Sequence, residues 1–116
     1  MQSTRSMRYN TEFRRLYASG KSAATGYIVV YCKRNRRGRS QLGLTVGTKV
    51  GKAVVRNRVR RRLREIYRLH ESEIRRGFDI VIVARVKSRY AAYSQLERDF
   101  LRLADKLDLR IGEAKQ

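Results

Sequence analysis

The sequence has 116 residues and a formal net charge of +19, from 29 Lys and Arg against 10 Asp and Glu. A chain of this length fits one domain, and its 41% hydrophobic residues in regular patterns predict a folded protein and not a disordered basic tail. No apolar run approaches the ~18 residues of a membrane-spanning helix, and no apolar segment follows the N-terminus, so neither a membrane protein nor a secreted protein is expected.

The single cysteine, Cys32, and the single histidine, His70, restrict the possible chemistry. One cysteine cannot form an internal disulfide, which is typical of a reducing, cytoplasmic compartment. Structural zinc sites draw on several Cys and His ligands, and a catalytic triad would have to be built on His70 alone. We therefore expect no catalytic residue and no metal site in this chain, and we interpret Cys32 as strand packing and His70 as a helix-face residue.

Arginine carries most of the positive charge, 22 of the 29 cations. Its planar guanidinium binds phosphate through two parallel hydrogen bonds and stacks on bases. The cations cluster in two segments, five within residues 33–39 and six arginines within residues 56–64. A biased genome composition would raise the arginine content but would not cluster it. Because neighbouring like charges repel, the clusters favour a polyanionic partner, and nucleic acid is the commonest in a cell.

The first half of the chain predicts a helix and then two strands. A capping Asn10 and apolar residues at helical spacing predict a helix over residues 10–20. Alternating β-branched and aromatic side chains predict a strand over residues 27–33, and residues 41–47 predict a second strand. We expect the basic segment between them to form a hairpin loop. Gly43, on a nearly bare strand face, is expected to mark a close approach of another backbone or a ligand.

The second half predicts a long helix, a buried strand and a final helix. Residues 52–76 carry an apolar stripe at helical spacing, and Gly77 is expected to end that helix. Residues 78–86 form an almost unbroken β-branched run, which is typical of a strand buried on both faces. Residues 93–109 carry a second helical stripe.

The resulting element order, α-β-β-α-β-α, indicates the α/β class, as an α+β two-layer sandwich around a central sheet. One domain spans residues 1–116, with short flexible ends at about residues 1–6 and 111–116. If the strands that flank the long helix are parallel neighbours, that helix is a crossover.

Residues 56–65 carry the functional argument. On a helix, Val59 and Leu63 face the sheet while arginines cover the exposed surface. Glu65 is the only acid between Lys52 and His70, so few of these charges are neutralised within the helix. Such a helix favours contact with phosphates.

Three segments resemble the bacterial ribonuclease P protein family. They are LGLTV at 42–46, KVGKAVV at 49–55 and RNRVRR at 56–61, the last of which matches the family's "RNR" helix signature. The aromatic pair Phe13 and Tyr17, Tyr31 at the end of the first strand, and the run GFDIVIVAR at 77–85 resemble further family features. The resemblance extends over almost the whole chain.

This resemblance implies the protein subunit of ribonuclease P, which assists a catalytic RNA subunit in the endonucleolytic removal of the 5′ leader from precursor tRNA. It implies that the RNA holds the catalytic Mg²⁺, while the protein binds the leader and stabilises the RNA and its metal sites. No further protein partner and no membrane are required. It also implies a mixed sheet with a left-handed crossover, against the right-handed rule that holds in ~98% of cases.

The resemblance also implies two sets of RNA-binding side chains. The basic helix contributes Arg56, Asn57, Arg58, Arg60, Arg61 and Arg64, and additional phosphate contacts come from Lys49 and Lys52. Phe13, Tyr17 and Tyr31 are expected to line a cleft for the single-stranded leader, where each base stacked on an aromatic ring contributes ~1–3 kcal/mol. For these aromatic residues, plain core packing is an open alternative, and Asn57 is alternatively a surface amide without a role.

Two other function classes remain open. An architectural RNA-binding protein of ribosomal type needs phosphate neutralisation but no aromatic groove beside it. A protein-only nuclease needs clustered carboxylates for metal-dependent hydrolysis. The ten acids are scattered, and Asp105 and Asp108 are the nearest approach to a pair.

Overall fold

A five-stranded mixed sheet and three helices make up residues 4–111, the part of the chain that the computed structural model describes. In chain order the elements are β1 (Thr4–Ser6), α1 (Asn10–Ser19), β2 (Lys21–Ala24), β3 (Ile28–Arg34), β4 (Ser40–Val46), α2 (Ala53–His70), β5 (Phe78–Ala84) and α3 (Tyr93–Lys106). Short 3-10 turns lie at Thr48–Val50, Glu71–Glu73 and Val86–Tyr90. Residues 1–3 and 112–116, where the predicted flexible ends mostly fall, lie outside the described residues.

The sheet has the strand order β1-β4-β5-β3-β2, with β5 at its centre. β5 runs parallel to β4 and antiparallel to β3. Ile80, Val81 and Ile82 are all fully buried, which confirms that this strand is covered on both faces. Because α2 joins the parallel neighbours β4 and β5, it is a crossover helix. The mixed sheet with three helices confirms the α+β class.

The predicted hairpin between β3 and β4 is wrong, because β5 lies between these two strands. An apolar strand with side chains on both faces is best buried with a neighbour on each side. The basic connection from β3 to β4 therefore passes the start of β5. Asn35 fixes it there, since its backbone N–H donates to Gly77 O at 2.7 Å and its Nδ2 donates to Asp79 Oδ1 at 2.8 Å.

Two short edge strands, β1 and β2, are missing from the predicted element order. β1 pairs in parallel with β4, and β2 pairs antiparallel with β3. Thr4–Ser6 fall within the predicted flexible end, but Thr4 is buried and its hydroxyl hydrogen-bonds the Tyr67 hydroxyl at 3.0 Å. Strands of three or four residues are too short to show a hydrophobic period, so only their neighbours in the sheet reveal them.

The long helix α2 ends at His70, earlier than its predicted end at residue 76. The segment after it pairs with the chain beyond α3, since Ile74 forms a β-bridge with Arg110 and the Arg75 N–H donates to Leu109 O at 2.7 Å. Gly77 does not end the helix. It has a φ of 82°, a left-handed conformation that favours glycine, and it turns the chain into β5.

The two faces of the sheet pack against different helices. On one face the core includes Ile28, Val30, Ile80, Ile82, Val59, Leu63, Phe100 and Leu103, contributed by the sheet, α2 and α3. The other face carries a smaller cluster under α1, in which Met7, Leu16 and Val81 are buried and Phe13, Tyr31 and Val83 are partly buried. The predicted leader residues therefore lie on the α1 face of the sheet.

Candidate nucleic-acid interface

Helix α2 buries one stripe and presents arginines on its remaining surface. Val59, Leu63 and Ile66 are at most 1% exposed, which fixes the rotation of the helix on the sheet. Glu65 forms an ion pair with Arg68 at 2.6 Å between Oε2 and Nη2. The one acid of the helix is thus paired with Arg68, which lies outside residues 56–64. It neutralises none of the arginines of that cluster.

Two of these arginines hold neighbouring backbone segments in place. Arg56 Nε donates to Gly51 O at 3.0 Å, and Arg62 Nη1 donates to Ala91 O at 3.3 Å. Arg56 therefore fixes the turn that leads into α2, in addition to its predicted role toward RNA. Arg62, to which sequence reasoning assigned no role, ties α2 to the connection before α3.

Asn57 is oriented by its neighbour on the helix, because Arg60 Nη1 donates to Asn57 Oδ1 at 2.8 Å. Asn57 is exposed, and within the described residues its amide NH₂ group makes no hydrogen bond. Within residues 4–111, the side chains of Arg58, Arg61 and Arg64 make no hydrogen bond and no ion pair. Their charges are available to a partner.

Lys49 and Lys52 lie at the N-terminal end of α2. Lys49 belongs to the 3-10 turn at Thr48–Val50, and Lys52 is the residue that precedes the first residue of the helix. Both are exposed. The positive end of the helix dipole lies at the same place, so these lysines extend the cationic surface of α2 toward its beginning.

The three predicted aromatic residues come together on the α1 face. The ring centroids of Phe13 and Tyr17 are 6.5 Å apart, and those of Tyr17 and Tyr31 are 4.9 Å apart with an edge-on angle of 69°. Tyr17 Oη and Thr45 Oγ1 are hydrogen-bonded at 3.0 Å. The spacing along α1 and the alternation along β3 together produce one aromatic cluster, which we define as Phe13, Tyr17 and Tyr31.

The ring of Phe13 packs closely against Gly43 of β4. A Cβ atom on Gly43 would lie 2.6 Å from Phe13 Cε1 and 2.7 Å from Phe13 Cζ. The expectation that a backbone or a ligand comes close at this position is therefore wrong. The missing side chain makes room for an aromatic ring of the same chain.

The aromatic cluster belongs partly to the small core and partly to the surface. Phe13 and Tyr31 pack against the buried core under α1, whereas Tyr17 is 40% exposed. Core packing and ligand binding are thus not exclusive alternatives here, because the rings are anchored on one side and accessible on the other.

A cleft of about 130 Å³ lies between Phe13, one member of the aromatic cluster, and helix α2. It is lined by Ser6, Met7, Phe13, Leu42, Gly43, Leu44, Arg60 and Arg64. An aromatic ring and two arginines from distant parts of the sequence therefore face the same space. Sequence reasoning missed Ser6 and Met7, which reach this cleft because β1 pairs with β4.

The acidic residues that come nearest to a pair are used as counter-ions for arginines. Asp105 is paired with Arg110 at 3.4 Å, and Asp108 is paired with Arg75 at 3.3 Å. In the described part of the chain, no three His, Cys, Asp or Glu side chains are grouped so that they could hold a metal ion. No helix among residues 4–111 is long and apolar enough to span a membrane.

Comparison with known protein families agrees with the motifs and the geometry. A family model described as Ribonuclease P matches residues 1–108. The ribonuclease P protein component of Clostridioides difficile (strain 630) is 39% identical over 109 residues, which cover 93% of this chain and 96% of that protein. The same component of Thermoanaerobacter sp. (strain X514) is 43% identical over 104 residues, with 90% of each chain covered.

Solved structures show the same fold. The ribonuclease P protein of Staphylococcus aureus superposes with a TM-score of 0.82 at 29% identity, over 90% of this chain and 96% of that one. The protein from Thermotoga maritima superposes with a TM-score of 0.76 at 33% identity, over 83% of this chain and 91% of that one. Sequence, family model and fold agree over nearly the full length, and the chain belongs to the bacterial ribonuclease P protein family.

Proposed function

We propose that this chain is the non-catalytic subunit of an RNA-based endonuclease and assists the RNA subunit of ribonuclease P in removing the 5′ leader from precursor tRNA. The observation that carries the proposal is the cleft in which Phe13 meets Arg60 and Arg64. It supplies a ring for stacking and cations for phosphate within one space. An architectural protein of ribosomal type would need only the cations.

The cleft suits a single-stranded leader of any sequence. Every base has a flat face, so the rings of Tyr17 and Tyr31, which lie beside Phe13 in the aromatic cluster, can stack on successive bases without reading them. Arg60 and Arg64 neutralise the phosphates that pass between α1 and α2. Because Phe13 and Tyr31 are held by the small core, little side-chain entropy is lost when RNA binds.

The remaining cations of residues 56–64 do not line this cleft and are assigned to the RNA subunit. Arg58 and Arg61 do not line the cleft and have no partner within the described residues. Lys49, Lys52 and Arg56 continue the same surface at the beginning of the helix. Asn57, whose Oδ1 accepts from the cleft residue Arg60, lies beside this surface, and its amide NH₂ group can donate to a base edge or a ribose hydroxyl.

We assign the hydrolytic chemistry and its Mg²⁺ to the RNA subunit. Asp105 and Asp108, the acids that come nearest to a pair in the sequence, act as counter-ions for Arg110 and Arg75. The protein stabilises the RNA and its metal sites by neutralising phosphates around them. In this proposal it works in the cytoplasm, without a membrane and without a further protein partner.

The test compares two substrates in the reconstituted holoenzyme. We expect Tyr31→Ala and Tyr17→Ala to weaken binding of leader-bearing precursor tRNA by roughly 5- to 150-fold, the equivalent of ~1–3 kcal/mol per stacked base. Affinity for mature tRNA, which lacks the leader, should stay within about twofold. Equilibrium binding of both RNAs measures the difference.

Tyr90→Ala is the matched control, because Tyr90 is 77% exposed and lies outside the aromatic cluster. It should leave both affinities unchanged. Equal losses on precursor and mature tRNA for the cluster variants would contradict the leader assignment. RNA-free protein that cleaves precursor tRNA by itself would contradict the non-catalytic role.

A further inference from the structure

A second and larger cavity, of about 800 Å³, lies at the other end of the sheet from the N-terminus of α2. Lys21 of β2, Cys32 and Arg34 of β3, and Phe78 of β5 contribute to its wall. The strand register brings them together, since Cys32 pairs with Lys21 and Arg34 pairs with Phe78. It shares no lining residue with the cleft between α1 and α2. We call it the β3 cavity.

The β3 cavity is strongly cationic. Its wall carries Lys21, Lys33, Arg34, Arg75 and Arg76 against one acid, Asp108. Arg75 is neutralised by Asp108 at 3.3 Å. Lys21, Arg34 and Arg76 are exposed, and within residues 4–111 their side chains make no hydrogen bond and no ion pair. Three uncompensated cations around one opening favour an anion with several charges or several phosphates.

The floor of the β3 cavity is apolar. Cys32 is buried, Phe78 is half-buried, and Ile111 is 50% exposed at the rim. Side-chain alternation along β3 places Cys32 and Arg34 on the same face, the face that α3 covers. A simple inorganic anion would leave this floor uncovered, whereas a nucleotide offers a phosphate to the arginines and a flat base to Phe78.

We propose that the β3 cavity binds a nucleotide of an RNA strand, with phosphates held by Arg34, Arg76 and Lys21 and a base against Phe78. An RNA strand fits better than a free nucleotide because the cations lie on three separate segments and can neutralise successive phosphates. The site goes beyond the proposed function, since neither α2 nor the aromatic cluster lines it. It would give the chain a second, separate RNA contact.

The test is an NMR titration of the full chain with two probes, a ten-nucleotide uridylate and uridine 5′-monophosphate. We expect the backbone amides of Cys32 and Phe78 to shift with the decamer at concentrations about tenfold lower than with the mononucleotide, because the decamer engages more than one phosphate. Equal or tighter binding of the mononucleotide would overturn the RNA assignment in favour of a free nucleotide. No shift of these amides with either probe would overturn the site.

A pair of double variants separates this cavity from net charge. Arg34→Gln with Arg76→Gln should lower the affinity for the decamer, as read from the shifts, about tenfold. It should also reduce the salt slope of that affinity by about 1.4, the value for two lost single-strand phosphate contacts. Arg36→Gln with Arg39→Gln removes the same charge from exposed positions that do not line the cavity, and it should change neither quantity by more than half as much. Equal losses in both double variants would overturn the proposal.

The result is independent of the leader cleft. Tyr31→Ala should leave unchanged the decamer concentration at which the amides of Cys32 and Phe78 shift, because Tyr31 is absent from the wall of the β3 cavity. If Tyr31→Ala abolished these decamer-induced shifts, the two sites would be one, and the proposal of a separate contact would be overturned. The leader assignment is measured on precursor and mature tRNA, so its failure is seen in a different experiment.

Discussion

Gly43 shows how one residue can shape the cleft without contacting RNA. Its missing side chain leaves space on β4 for the ring of Phe13, which would otherwise overlap with a Cβ atom at 2.6 Å. Phe13 in turn lines the cleft beside Arg60 and Arg64. The glycine therefore acts through the position of an aromatic ring.

Gly43→Ala should destabilise the fold by about 1–3 kcal/mol, as overpacking of a tight contact does. It should also lower the preference of the holoenzyme for precursor over mature tRNA, because Phe13 is displaced. Urea denaturation and binding measurements test the two effects. Gly47→Ala is the control, since no atom lies within 4 Å of the added Cβ. A free energy of unfolding unchanged by Gly43→Ala would contradict the contact.

Neighbouring arginines on α2 differ in what they hold. Arg62 donates to Ala91 O and is half-buried, whereas Arg61 is exposed and has no partner within residues 4–111. Arg62→Ala should lower the free energy of unfolding by about 0.5–1.5 kcal/mol, the usual contribution of such a hydrogen bond. Arg61→Ala should change it by less than about 0.5 kcal/mol and should instead weaken binding to the RNA subunit. The opposite order in urea denaturation would contradict these assignments.

At the scale of elements, His70 fastens the end of α2 to α3. Its Nδ1 lies 2.9 Å from Glu73 Oε2, and its Nε2 lies 2.6 Å from Glu97 Oε2. Burial lowers the pKa of His70, but the hydrogen bonds to Glu97 and Glu73 raise it more, so that the net pKa lies above its ordinary value of 6.5. The sequence predicts only a helix-face residue at His70, because Glu97 is 27 residues away along the chain, although Glu73 lies at i+3.

The raised pKa links stability to pH. The folded protein holds the His70 proton more tightly than the unfolded chain, so the stabilisation is fully present below the unfolded pKa of about 6.5 and is lost as pH rises through the folded pKa. We expect the melting temperature to fall over that range. His70→Gln should remove this pH dependence, as calorimetry at a series of pH values would show. An unchanged pH profile in His70→Gln would contradict the ion pairs.

At the scale of the whole molecule, the net charge of +19 makes binding strongly dependent on salt. Phosphate neutralisation releases counterions, so the logarithm of the affinity falls linearly with the logarithm of the salt concentration. If about six phosphates are contacted, we expect a slope of about −4 for single-stranded contacts. The free arginines of α2 should account for much of it.

Arg64→Ala should weaken RNA binding and reduce this slope by about 0.7, because it removes one phosphate contact in the cleft. Arg60→Ala should act in the same direction. Arg102→Ala removes the same charge from an exposed position of α3 that lines neither the cleft nor the β3 cavity. Its slope should match that of the unmodified chain. Equal reductions in all three variants would mean that only net charge matters.

The sequence alone was sufficient for the features that depend on local pattern. The apolar run of β5 predicted a strand buried on both faces, and the stripe through Val59 and Leu63 predicted the rotation of α2. The RNRVRR segment pointed to the family. Each of these features depends on residues that are close together in the sequence, because side-chain periodicity within a segment indicates which face of the element is buried.

Only the tertiary structure decided which elements are neighbours. β5 lies between β3 and β4, the short β1 brings Met7 to the cleft, and α1 places Phe13 opposite Arg64. The same is true of the contacts of His70 with Glu73 and Glu97. The physical reason is that periodicity carries no information about the partner on the other side of an interface. Strand order and the meeting of distant side chains follow from how the whole set of apolar faces is buried at once.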